Sequence, residues 1–123
     1  MRYLTDRKRV IGLGSAKSGT EHHWSMTLSS YALLILIPMF LLTFGPMLGA
    51  SYEEVTSYFA RPFPAIVAAL TIAVSFMHFK NGVQALIEDY VHGPMEKFLI
   101  IAMICLSYAA AATGIFAVAK LAL

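Results

Sequence analysis

Charge and histidine almost vanish from this chain three times. Trp24 to Tyr52 contains no Asp, Glu, Lys, Arg or His; Pro62 to Ile87 contains only His78 and Lys80; Phe98 to Ala119 carries none of them. A bilayer core about 30 Å thick is crossed by roughly 20 helical residues, and each stretch is long enough. Helix is the economical conformation there, because backbone N–H and C=O groups in lipid find no water and must pair within the segment. The pattern predicts three transmembrane helices, at about 24–50, 62–89 and 96–121. Pro62 and Pro64 suit the first turn of the second helix, and Gly93-Pro94 breaks the chain before the third. Pro38 falls inside the first and is expected to kink it.

Composition agrees: 59% of residues are hydrophobic and 13% charged, far from a soluble domain. The first apolar stretch exceeds the roughly 7–15 residues of a signal-peptide core and is expected to be retained. The fold class is an all-α membrane protein, with a basic N-terminal arm at 1–22 and a three-helix membrane domain at 23–123. Arg2, Arg7, Lys8, Arg9 and Lys17 precede the first helix, whereas the Ser51 to Arg61 connection offers only Arg61 beside Glu53 and Glu54. The positive-inside rule therefore places the N-terminus and the Glu88 to Lys97 connection in the cytoplasm. The arm has too few apolar residues for a core, and serves topology, anionic lipid or docking. Trp24, Tyr52, Tyr58, Tyr90 and Phe98 fall where amphipathic rings anchor to interfaces. Ser107, Ala109 to Ala112 and Gly114 allow close approach of another helix, and Cys105 is read as a small packing residue.

One residue interrupts this economy. His78 lies roughly 16 Å along the helix from Asp89 and roughly 24 Å from Pro62, near the membrane midplane, where an ionisable side chain marks a functional site by default. Gly82, Ala85 and Asp89 project within about 40° of it, with Ser75 and Thr71 continuing that side. Such a face leaves room for a bulky flat group, and a neutral imidazole at that depth suits haem iron. The simpler reading is a histidine hydrogen-bonded to a neighbouring helix. His22, His23 and His92 lie too near the boundary to supply a second axial ligand, so a partner chain would provide it. Asp89 and Tyr90 end the same helix where lipid meets water. There a phenol can donate to a quinone carbonyl while the carboxylate orients it or relays a proton, with His92 nearby. Their simpler reading is an interfacial tyrosine and a helix-end carboxylate.

The string from His78 through Lys80, Asn81, Gly82, Gln84 and Glu88 to Asp89, Tyr90 and His92 resembles the membrane-anchor subunits of succinate dehydrogenase, respiratory complex II. The match is to the small hydrophobic, haem-associated subunit, whose second helix carries a His, ten residues, then Asp-Tyr. Length, helix count and the Glu21-His22-His23-Trp24 segment extend the resemblance over most of the chain. It implies that His78 is an axial ligand of a b-type haem shared with a second anchor subunit, and that Tyr90, beside Asp89, donates a hydrogen bond to ubiquinone. It also implies partners that pack with the chain into a helical bundle and dock on it: the second anchor, the iron–sulfur subunit and the flavoprotein subunit. Ser25-Met26-Thr27-Leu28 lacks the arginine that family members often carry near the start of the first helix. Lys80 lies about 200° from His78, on a stripe with Gln84 and Glu88 expected to face protein.

The function expected is thus the membrane anchor of succinate:ubiquinone oxidoreductase, not catalytic alone. The alternatives are a scaffold or assembly protein without haem, and the anchor of a related fumarate reductase. One cysteine cannot hold an iron–sulfur cluster, and no Gly-rich dinucleotide loop is present in the expected context. A small transporter ranks last, for want of an intramembrane acid near the midplane. Lipid, not nucleic acid, is the expected surrounding. The absence of a clear transit peptide favours a bacterial cytoplasmic (inner) membrane, crossed several times.

Overall fold

The computed structural model describes residues 5–12 and 18–123; Arg2 and Lys17 of the basic arm lie outside them. The elements are α1 (Asp6–Gly12), α2 (Ser18–Phe44), a 3-10 turn (Gly45–Met47), α3 (Tyr52–Phe59), α4 (Pro62–Tyr90) and α5 (Pro94–Ala122). All regular structure among the described residues is helical. Three helices are long and apolar enough to cross a membrane, with mean hydropathies of 2.0, 1.7 and 2.1. At 1.5 Å per residue, the 29-residue α4 and α5 each run to about 43 Å, enough for the hydrocarbon core with a turn to spare at each end.

Helix α4 is the centre of the arrangement. It packs against α2 on one side and α5 on the other, while α2 and α5 make no comparable contact with each other. The result is a row of three helices, and burial follows from it: Ala65, Val67, Ala68, Thr71, Asn81 and Ile87 are buried on α4, but only Ser107 on α5. Leu34, Leu42, Ile101, Leu106 and Phe116 remain on open faces, as suits side chains that meet lipid or another chain.

A glycine lies in each seam of the row. On the α4–α5 side, a Cβ placed on Gly114 would lie 3.0 Å from Ile72 Cγ2, so the absent side chain sets the helix spacing. Of the small residues expected to form this face, Ser107 and Gly114 do so, while Ala109 and Ala112 are exposed. On the α2–α4 side Gly82 faces Met26, whose Cε lies 3.8 Å from the Cβ position, an ordinary packing contact with room for a methyl group. Hydroxyls within these apolar helices are satisfied locally: Thr43 donates to the Met39 carbonyl at 2.9 Å and Thr71 to that of Val67 at 2.7 Å.

The helix ends have local causes. Helix α2 continues through Pro38 and stops at Phe44, where Gly45 and Pro46 turn the chain before the expected limit near residue 50. It also begins earlier than the apolar pattern, at Ser18, and its added turns run beside the end of α4. Between the first two spans lies an unexpected helix, α3. Its start is a capping box, with Ser51 N–H donating to Glu54 Oε2 at 2.8 Å and Glu54 N–H to Ser51 Oγ at 3.3 Å. Phe59 of α3 is buried and meets Phe44 of α2 with ring centroids 6.4 Å apart, closing that end of the row. At the other end Gly93 takes φ +81°, a left-handed conformation that suits glycine, and Pro94 opens α5.

Candidate functional site

His78 sits half-buried on the α2-facing side of α4. Its Nδ1 lies 2.9 Å from the hydroxyl of Ser29 on α2, a side chain only 1% exposed. One turn further along, Asn81 Nδ2 donates to Ser25 Oγ at 3.0 Å; Asn81 is 4% exposed. Rising numbers on α2 thus meet falling numbers on α4, which fixes the two helices as antiparallel and brings the start of α2 beside Asp89 and Tyr90. Two polar bridges one turn apart, in otherwise apolar surroundings, also set the rotation of each helix about its axis.

The hydrogen bond to a neighbouring helix required by the simpler reading of His78 is therefore present, and it uses Nδ1. Among the described residues Nε2 has no hydrogen-bond partner. His78 also borders an open groove of about 400 Å³, lined on the α2 side by Ser30, Leu33, Leu34, Ile37 and Pro38. A histidine anchored through one nitrogen, with the other free beside an apolar groove, has the donor set of one half of an axial haem site.

The small face of α4 does not itself form the recess expected for a flat group. Gly82 is filled by Met26, and α2 covers that side. The space beside His78 lies instead along the flank of α2. No cluster of three or more potential metal ligands occurs among the described residues, and His22 lies on α2 about two turns from Ser29. His22 Nε2 is enclosed and has no hydrogen-bond partner among them.

Asp89 and Tyr90 are both exposed at the end of α4, Tyr90 to 79%, as is His92 just beyond. No hydrogen bond joins Asp89 to Tyr90 or engages either side chain among the described residues, so the phenol is free to donate outward. Tyr90 lies twelve residues beyond His78 on the same continuous helix, about 18 Å along the axis. Lys80, on the stripe expected to face protein, turns toward α5 and lines a cavity of about 260 Å³ with Phe76, Met77, Ser107 and Tyr108. Further along the stripe Gln84 donates to Glu88 at 2.9 Å, and Glu88 is exposed.

Residues 1–116 match the family described as succinate dehydrogenase/fumarate reductase transmembrane subunit. The chain belongs to that family. A protein of Paracoccus denitrificans named succinate dehydrogenase hydrophobic membrane anchor subunit is 42% identical over 123 residues, covering 100% of this chain and 95% of the relative. A protein of the same name from Rickettsia bellii (strain RML369-C) is 33% identical over 92 residues, 73% of each chain. No solved structure matches significantly. The three apolar helices agree with a transmembrane subunit.

The serines on α2 were missed by sequence reasoning. Ser25 and Ser29 are four residues apart and so share a helix face, and that spacing was the available signal. Nothing in the sequence, however, told which face of α2 meets α4.

Proposed function

We propose that this chain is the hydrophobic membrane anchor of a bacterial succinate:ubiquinone oxidoreductase. It crosses the cytoplasmic membrane three times with its N-terminus inside. The start of α2, the end of α4 and the start of α5 then lie at the cytoplasmic face, where the iron–sulfur and flavoprotein subunits dock. The open faces of α2 and α5 receive lipid and a second anchor subunit.

Within this complex His78 Nε2 would hold a b-type haem together with a residue of the second anchor subunit. A bound haem supplies a one-electron store at mid-membrane depth. This chain's own residues position the groups around it: α2 holds the His78 ring from the Nδ1 side, and Leu33, Leu34 and Ile37 keep water from the groove. At the cytoplasmic end, the Tyr90 phenol donates to a quinone carbonyl, and Asp89 orients it or passes a proton from water, with His92 beside them. Quinone reduction takes up two protons for two electrons, so a site at the lipid–water boundary has both the quinone and its proton source within reach.

The observation that carries the reading is the His78 ring in a transmembrane helix of this family, engaged at Nδ1 and unengaged at Nε2. The test is a reduced-minus-oxidised visible spectrum of the purified complex, beside that of His78→Ala. A b-type signal lost or shifted in the variant supports ligation. An intact complex without haem overturns the ligand assignment and leaves a scaffold that docks the catalytic subunits. Fumarate-driven quinol oxidation, faster than succinate-driven quinone reduction in the same preparation, would assign the opposite direction of electron flow.

A further inference from the structure

Ser29 Oγ makes three contacts but owns one proton. It lies 2.9 Å from the Ser25 carbonyl, 2.9 Å from the Met26 carbonyl and 2.9 Å from His78 Nδ1. The two carbonyls can only accept. If the hydroxyl gave its proton to Nδ1, its lone pairs would face both carbonyl oxygens at hydrogen-bond distance, inside an apolar seam where no water screens the repulsion. If the proton is shared between the carbonyls, Nδ1–H donates to Oγ and all three contacts are attractive. The second arrangement has the lower energy, and it fixes the ring as the Nδ1–H tautomer with its lone pair on Nε2.

We propose that Ser29 is a positioning residue that selects the ligand nitrogen of His78 and tunes the iron it binds; the proposal rests on the haem reading above. The outer hydrogen bond of a metal-bound histidine does two things: it holds the ring orientation and raises the donor strength of the ligating nitrogen. Here the acceptor is a neutral hydroxyl, itself oriented by the α2 backbone, so the ring is held by the helix and not by a mobile side chain. Ser29 is 1% exposed, which excludes water as a substitute acceptor. A stronger Nε2 donor favours oxidised iron, so removing the hydroxyl raises the haem midpoint potential and loosens ligation.

The experiment is a potentiometric titration of the haem in the purified complex, for wild type, Ser29→Ala, Ser29→Thr and Ser29→Val. Threonine and valine add the same bulk at this position and differ only in the hydroxyl. The expected result is a wild-type potential in Ser29→Thr and an upward shift, or loss of haem from an otherwise assembled complex, in both Ser29→Val and Ser29→Ala. Ser25→Ala, which breaks the neighbouring bridge to Asn81 but leaves Ser29 in place, should keep the wild-type potential. Matching potentials for threonine and valine, or a wild-type potential in Ser29→Ala, would overturn the role of Ser29 while leaving His78 as ligand. A haem that survives His78→Ala unchanged would overturn the parent reading instead.

Discussion

Asn81 reaches across from α4 to Ser25 on α2, its amide nitrogen 3.0 Å from the serine hydroxyl, one turn along the seam from the contact between Ser29 and His78. A side-chain amide 4% exposed in an apolar bundle is unfavourable unless it is paired, so this bridge helps to hold the two helices together. Interhelical hydrogen bonds in membranes contribute about 0.6 kcal/mol on average and up to about 2 kcal/mol. Asn81→Ala should therefore weaken the complex by about 1–2 kcal/mol, cavity included, and Ser25→Ala by less. In a double-mutant cycle read by denaturation of the detergent-extracted complex, a coupling indistinguishable from zero would contradict the bridge.

Gly114 controls the opposite flank. With Ile72 Cγ2 only 3.0 Å from where its Cβ would stand, Gly114→Ala overpacks the α4–α5 seam, and overpacking costs about 1–3 kcal/mol. Ile72→Ala alone opens a void at the same place. Combined, the two changes should be less damaging than their separate effects added together. Thermal stability of the four complexes measures this, and strict additivity would mean that the contact does not set the spacing.

The connection between the first two spans has its own acid dependence. The Glu54 carboxyl is held below the usual carboxylate range, first by the Ser51 backbone N–H and then by the Ser51 hydroxyl. A carboxyl whose pKa is lowered on folding stabilises above its unfolded value, and that stabilisation is lost as pH falls through the folded value. Protection of the α3 amides against hydrogen exchange, corrected for intrinsic rates, should be flat near neutrality, begin to decline as pH falls through the ordinary carboxylate range and continue to fall below it. Ser51→Ala should reduce it at neutral pH, by about 1 kcal/mol. A decline beginning near pH 7 would assign the effect to another group.

Tyr90 is the most direct test of the quinone site. A single hydrogen bond contributes about 0.5–1.5 kcal/mol, so Tyr90→Phe should lower ubiquinone reduction by about 2- to 10-fold. The haem spectrum and succinate oxidation with a water-soluble acceptor should remain at wild-type levels. Equal loss in both assays would place Tyr90 in docking of the catalytic subunits instead.

Much of this architecture is legible in the sequence. The three spans, the proline openings of α4 and α5 and the break at Gly93-Pro94 follow from rules that act within a few residues: lipid demands apolar side chains and an internally paired backbone, and proline cannot donate. The short helix α3 was missed because eight residues with two glutamates read as a polar connection, although Ser51 and Glu54 spell a capping box. The candidate site was half legible. His78, Asp89 and Tyr90 stand out because ionisable and amphipathic groups are rare in such a helix, and their spacing along α4 follows from helix geometry alone.

The sequence by itself determined the number of spans, the limits of the second and third to within two residues, though not those of the first, and which side chains are chemically exceptional. Only the tertiary structure decided what those side chains meet. Helices α2 and α5 are apolar nearly all round, so no hydrophobic stripe marks which face turns inward. That choice depends on fit between whole surfaces, at Gly82 against Met26 and Gly114 against Ile72, and on two polar bridges that pair only at one rotation and one register. The same choice turned the small face of α4 from an expected recess into a helix seam, and placed Ser29 against the inner nitrogen of His78.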